Sequence, residues 1–256
     1  MESRFVAKTR EGLIISPAEE ALIASRGFDI AENDNKPERC ILVIGLNPAG
    51  NEDDAERERK SGHIYYYSLE SKTRINSKWI YKNYYSPIWD FSKGVFGNNI
   101  KWPWCNQPWR SLEAELKNDN ELADHIQEFK NQFDMSQNQN YCTIYIGDMF
   151  YYHSTDSKEI FYHIRNKGDE QSYCLDMLTM HINELRKHNK DVEFVYINNA
   201  QVSHWLCGET AKTKMIVNNT PVYLGSMLSG QRSMDLFSRQ RLIEEIRKDL
   251  MERLTV

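Results

Sequence analysis

The sequence predicts an α/β fold: three layers, α/β/α, around a central four-stranded, mainly parallel sheet. Three observations lead there. Four short runs, Cys40 to Ile44, Cys142 to Ile146, Val192 to Ile197 and Pro221 to Leu224, are continuously apolar, as parallel strands covered on both faces must be. The segments between them carry apolar residues at three-to-four spacing, the period of a helix with one buried stripe. Strand and helix alternate along the chain, which favours a parallel sheet joined by right-handed crossovers.

Taken in order, the first strand runs into Gly45-Leu46-Asn47-Pro48-Ala49-Gly50. The segment from about 53 to 110 then interrupts the alternation. It opens within a charged run, Glu52 to Lys60, and becomes aromatic, with Tyr65, Tyr66, Tyr67, Trp79, Tyr81, Tyr84, Tyr85, Trp89, Trp102, Trp104 and Trp109. These rings form either a satellite core under an insertion or, in part, a lining for a planar ligand. A helix follows over Leu112 to Phe133, then the second strand, which ends at Gly147-Asp148-Met149. Leu175, Leu178, Ile182 and Leu185 place a helix over Cys174 to Leu185. After the third strand a short helix covers Ala200 to Cys207 and stops at Gly208. The fourth strand is followed by a loop and an amphipathic helix over Ser238 to Leu254, with Leu242, Ile246, Leu250 and Leu254 on one face. In such sheets ligands bind beyond the carboxyl ends of the strands, so the residues after each strand are the ones to read for chemistry.

Bulk properties narrow the class. A chain of 256 residues with 40% hydrophobic content suits one large domain, 1–256, rather than two. Mean hydropathy of −0.68 and the lack of an apolar run near ~20 residues argue against a membrane partner. The start, Met-Glu-Ser-Arg-Phe, carries no apolar signal region, so the expected location is the cytoplasm. Five scattered cysteines, Cys40, Cys105, Cys142, Cys174 and Cys207, have no CxxC pair and read as buried apolar residues; no metal is expected. The net charge of −5 counts against extensive coating of nucleic acid, while one local basic stripe still suffices for DNA.

Two loops carry the sharper signal. A strand ending in Gly45-Leu46-Asn47-Pro48-Ala49-Gly50 exposes backbone N–H groups and presents one polar side chain, Asn47; a plain strand-ending turn reads the same way. After the last strand comes Leu224-Gly225-Ser226-Met227-Leu228-Ser229-Gly230-Gln231-Arg232-Ser233 and then the final helix. The pair resembles the uracil-DNA glycosylase superfamily, closest to its mismatch-specific GxNPG branch. The resemblance covers about half the chain and leaves the first ~35 residues and the aromatic insertion unaccounted for.

The resemblance implies a uracil-DNA glycosylase-like fold and a monofunctional enzyme that flips a base out of DNA and hydrolyses its glycosidic bond, without cofactor or metal. Asn47 would position the attacking water, with Leu46 and Pro48 beside the base. One of Tyr65, Tyr66 and Tyr67 stands where the family keeps an aromatic residue that stacks on the base. Ser229 and Gly230 match the SG of the family's second motif, whose loop grips DNA. The following Gln231 to Phe237 would be the insertion loop, with Arg232, Met234 or Leu236 as the wedge that fills the vacated stack. Phosphates would meet the backbone of Ala49, Gly50 and the terminal loop, helped by Arg232, Arg239 and Lys72. DNA is thus the expected partner, with no obligate protein partner evident. No lysine nucleophile stands at a strand end.

The chain departs from the family at two places. The motif's His or Asn, which stabilises the departing base, aligns with Met227, and its Pro with Leu228. Methionine cannot donate a hydrogen bond, which implies a replacement such as Ser226 or Gln231, a different base, or loss of activity. At the second strand end, where the family often carries Asn to read the base edge, this chain has Asp148. If ionised it only accepts, which suits the amino group of a cytosine-type or hypermodified pyrimidine, as in phage DNA, better than uracil O4. His153 could donate to base or phosphate, or simply be a packing residue. Two competing readings remain: an inactive DNA- or nucleotide-binding module on the same fold, and an amino-methyltransferase. The second needs [DN]PP[YF], whereas Ala49 and Gly50 stand in those positions.

Overall fold

A computed structural model describes residues 35–46, 86–101, 141–150, 170–208, 210, 212–230 and 233–254. Six strands and four helices lie within them. Strand β1 (Glu38–Gly45) is followed by α1 (Ser86–Phe96), β2 (Ile100–Lys101) and β3 (Cys142–Asp148). Then come α2 (Glu170–Lys187), β4 (Lys190–Ile197), α3 (Ala200–Cys207), the hairpin strands β5 (Lys214–Val217) and β6 (Thr220–Leu224), and α4 (Leu236–Leu254).

The strands form one sheet in the order β2-β3-β1-β4-β6-β5, all parallel except β5, which runs antiparallel to β6. All four sequence-predicted strands are present and neighbour one another, but the sheet has six strands rather than four. The two additions sit at the edges. β2 is only two residues long, and the apolar part of β5 is only Met215 to Val217, shorter than the runs by which buried parallel strands are recognised. Asn218 and Asn219, both at positive φ, make the tight β5–β6 turn, where Asn tolerates the left-handed region.

Strand side chains alternate between two clusters. Leu42, Ile44, Tyr145, Val195, Ile197, Val222 and Leu224 pack with α2 and α3. Ile41, Val43, Ile144, Phe194, Tyr196 and Tyr223 pack with α1 and α4. The aromatic insertion is therefore not wholly a satellite: its helix α1 buries Ile88, Trp89 and Phe91 in the second of these clusters. Gly94 on α1 lets it approach α4 closely, since a Cβ there would lie 2.7 Å from the Ile243 side chain. Cys40, Cys142 and Cys174 are buried, as read from the sequence, and Cys207 is partly so.

At the amino ends of the strands sits a charge cluster. Glu38 takes hydrogen bonds from Thr143 and from Tyr145 (3.3 Å) and pairs with Lys101 and with the buried Lys190 (3.3 Å). Burial pushes the Glu38 carboxyl up, but the Lys101 and Thr143 hydrogen bonds and the two lysine charges outweigh it, holding its pKa below the usual value. This end of the sheet is built for stability. Buried side-chain atoms without a hydrogen-bond partner among the described residues are His188 Nδ1 at this end and Asp148 Oδ2 and Arg239 Nε towards the other. No helix among the described residues is long and apolar enough to cross a membrane.

Candidate functional site

The strand order reverses at β1, whose neighbours are β3 and β4. In open parallel sheets such a reversal leaves a crevice beyond the carboxyl ends. Three residues stand level there. The register pairs Gly45 of β1 with Asp148 of β3. On the other side Ile44 pairs with Ile197, and the Asn198 N–H extends the ladder to the Ile44 carbonyl at 2.8 Å. By strand alternation Asp148, Gly45 and Asn198 all face the side covered by α1 and α4. Two polar side chains thus flank a glycine.

Asp148 is 2% exposed, and its Oδ2 is buried with no hydrogen-bond partner among the described residues. Burial alone pushes its carboxyl up to about 7, because a desolvated carboxylate without a nearby cation favours the protonated form. A buried polar atom left unmatched costs free energy, and such sites concentrate where a ligand supplies the missing partner. Behind it, Gly147 makes room for His181: a Cβ would lie 3.1 Å from the imidazole. His181 Nδ1 is 2.7 Å from the Met177 carbonyl, and burial pushes its pKa down to about 4, so the ring is neutral and Nδ1–H donates.

Asn198, 5% exposed, belongs to no motif that the sequence marks. A signal for it exists nonetheless: a polar residue directly after an apolar strand, the same pattern that marks Asn47 and Asp148. The next residue, Asn199, caps α3 by accepting from Gln201 N (2.9 Å) and Val202 N (3.1 Å).

The loop from Gly225 to Gly230 lies against this end and is held by side chains from three elements. Ser203 Oγ donates to the Gly225 carbonyl (2.6 Å) and Tyr196 Oη to the Ser226 carbonyl (2.6 Å). Arg239 Nη2 donates to the Leu228 carbonyl, while the Leu228 N–H donates to Asn198 Oδ1 (2.9 Å). Met234 N–H returns to the Met227 carbonyl (2.8 Å). Gly225 is required by this closeness, since a Cβ would sit 2.5 Å from the Tyr196 ring. Asp235 then caps α4, accepting from Ser238 N (2.9 Å) and Ser238 Oγ (2.6 Å). Four side chains thus hold the loop.

Comparison with known proteins matches the chain to no family model, no curated protein and no solved structure. The site therefore has to be read from its own residues.

Of the residues marked by sequence, the structure gathers Asp148, Ser226, Ser229, Gly230 and Arg239 at the carboxyl end of the sheet. Leu46 is held there by its carbonyl, which accepts from Phe150 N at 2.8 Å, while its side chain packs with the α2–α3 cluster. Met234 packs partly into the α1–α4 cluster, whereas Leu236 and Phe237 at the start of α4 are exposed. Met227 is 38% exposed. Asn47, Pro48, Ala49, Gly50, Tyr65, Tyr66, Tyr67, Lys72, His153, Gln231 and Arg232 lie outside the described residues, as does the helix expected over Leu112 to Phe133.

Proposed function

We propose that the chain is a monofunctional DNA glycosylase with a three-layer, uracil-DNA glycosylase-like fold, which flips a modified pyrimidine out of DNA and hydrolyses its glycosidic bond. The observation that carries this reading is Asp148: a buried carboxyl whose Oδ2 has no partner among the described residues, level with Gly45, two residues before Asn47 in the chain.

A neutral carboxyl both donates and accepts. Its O–H can give to N3 of a cytosine-type base while its carbonyl takes the 4-amino proton; turned over, it accepts N3–H of uracil and donates to O4. The neutral form therefore broadens the choice of base beyond the cytosine-type preference of an ionised group. Asn47 orients a water but is a poor base, so bond breaking runs ahead of attack and DNA phosphates help to stabilise the oxocarbenium-like sugar. The terminal loop, tied down by Ser203, Tyr196, Asn198 and Arg239, presents a fixed surface to the backbone. Exposed Leu236 and Phe237 supply apolar bulk for the vacated stack, offsetting part of the few kcal/mol that flipping costs. Phe237 joins Leu236 among the wedge candidates ahead of Met234, which packs partly against the α1–α4 cluster.

The test is abasic-site formation on DNAs containing uracil, thymine mismatches, 5-hydroxymethylcytosine or glucosylated phage cytosines. Excision of one base, lost in Asn47→Ala, is the expected outcome. Met227, exposed where the family keeps its donor, favours a second reading: a binding module that kept the architecture and lost turnover. That reading predicts DNA binding with no excision from any DNA in the panel.

A further inference from the structure

Asn198 emerges at the end of β4 on the same side as Tyr196, one strand from Gly45 and two from Asp148. Two strand spacings, ~10 Å, separate the Asn198 and Asp148 backbones, with only a glycine between them. Its orientation is set by chemistry. The Leu228 N–H, 2.9 Å from Oδ1, can be answered only by the carboxamide oxygen. The Nδ2 protons are what this side chain has left to offer.

Leu228 is the residue next to Met227, the position at which the resembled motif carries a hydrogen-bonding His or Asn. Met227 cannot donate. Of the two replacements suggested by sequence, Gln231 lies outside the described residues, and Ser226 has its backbone fixed by the Tyr196 hydroxyl, which donates to its carbonyl. A buried carboxamide from another strand instead touches the backbone one residue away.

We propose that Asn198 Nδ2 is the donor that stabilises the departing base, in place of the side chain that Met227 does not supply. The inference rests on the glycosylase reading above. In that reaction the C1′–N1 bond breaks and its electron pair leaves with the base, spreading onto the pyrimidine O2. The water oxygen bonds to C1′, and the proton it sheds ends on the base. A donor aimed at O2 acts on charge that exists mainly in the transition state, which is where a fixed hydrogen bond accelerates a reaction most. Asp148 on the far side of Gly45 would meet the opposite edge of the same ring, so the substrate class is a pyrimidine with a free 2-carbonyl.

The experiment is single-turnover excision of uracil and of 5-fluorouracil, a better leaving group, from otherwise identical oligonucleotides. It compares the full chain with Asn198→Ala and, at pH 9, with Asn198→Asp, whose ionised carboxylate keeps an oxygen for Leu228 but has no proton to donate. Both variants should lose about 100-fold on uracil and markedly less on 5-fluorouracil, because the better leaving group needs less help. A merely structural role would depress both bases by the same factor, and that result, or unchanged rates in Asn198→Asp, overturns the inference while the glycosylase reading stands. Excision of neither base, nor of any modified pyrimidine, by the unaltered chain would sink the glycosylase reading itself and take this inference with it.

Discussion

The side chain of Asn198 accepts the backbone N–H of Leu228 at 2.9 Å, tying the last loop to the end of a central strand. Leu228 is itself buried in the α1–α4 cluster. Replacing Asn198 by Ala leaves that N–H buried without an acceptor, at a cost of about 1–3 kcal/mol. Urea denaturation of Asn198→Ala should show this as a lower midpoint with an unchanged slope. An unchanged midpoint would mean the loop holds without the bond.

Gly225 offers a second test of the same loop. Its absent Cβ leaves space for the Tyr196 ring, which a methyl group would approach to 2.5 Å. Tyr196 is buried and stacks near Phe91, with ring centroids 4.6 Å apart, so it has little room to retreat. Gly225→Ala should destabilise by about 1–3 kcal/mol, the usual cost of overpacking. It should also weaken DNA binding, measured by fluorescence anisotropy, because the loop itself must shift.

Asp148 makes a prediction about pH. Burial raises its pKa from 3.8 to about 7, so the folded chain holds this proton more tightly than the unfolded chain does. Its contribution to stability is full below about pH 4 and is lost as pH rises through about 7. Asp148→Asn removes that dependence. The variant should match the unaltered chain near pH 4 and exceed it above pH 8, by at most about 4 kcal/mol. Equal stability of the two proteins at pH 8.5 would show that the carboxylate finds a partner.

The elements legible in the sequence share one property: burial on both faces, or a full apolar stripe. β1, β3, β4 and β6 can be read because each is a run of apolar residues, and α2, α3 and α4 because their apolar spacing or end signals are regular. β2 and β5 cannot, since their apolar runs, Ile100 alone and Met215 to Val217, are too short to stand out. α1 is hidden inside the aromatic segment, where its Trp89 and Phe91 could as easily line a ligand site. At the site, Asp148 is legible as the polar residue on which an apolar strand ends. Asn198 stands in the same relation to β4, but in sequence it lies between that strand and the helix read from Ala200, with no motif around it. Its link to Leu228 joins residues that only the sheet topology brings together.

Glu38 lies at the opposite end of the sheet and separates stability from function. Glu38→Gln removes a charge from beside the buried Lys190, and breaking such a pair costs about 3 kcal/mol. Because the Glu38 pKa is lowered in the fold, this stabilisation is present at neutral pH and is lost as pH falls below the usual carboxylate range. Chemical denaturation should show a large difference between the proteins at pH 7 and a shrinking one as pH is lowered past the usual carboxylate range.

If the carboxyl ends of β1 and β3 excise a base, as proposed, the reaction depends on Asn47 and Asp148 and not on Glu38. The most direct measurement is the single-turnover rate of abasic-site formation on the preferred modified pyrimidine, compared among the unaltered chain, Asn47→Ala, Asp148→Asn and Glu38→Gln at a temperature where all four are folded. The account predicts excision by the unaltered chain, loss of about 100-fold or more in Asn47→Ala, a changed base preference in Asp148→Asn, and a near-normal rate in Glu38→Gln. Excision that survives in both Asn47→Ala and Asp148→Asn, or no excision by the unaltered chain from any modified DNA that it binds, would contradict it.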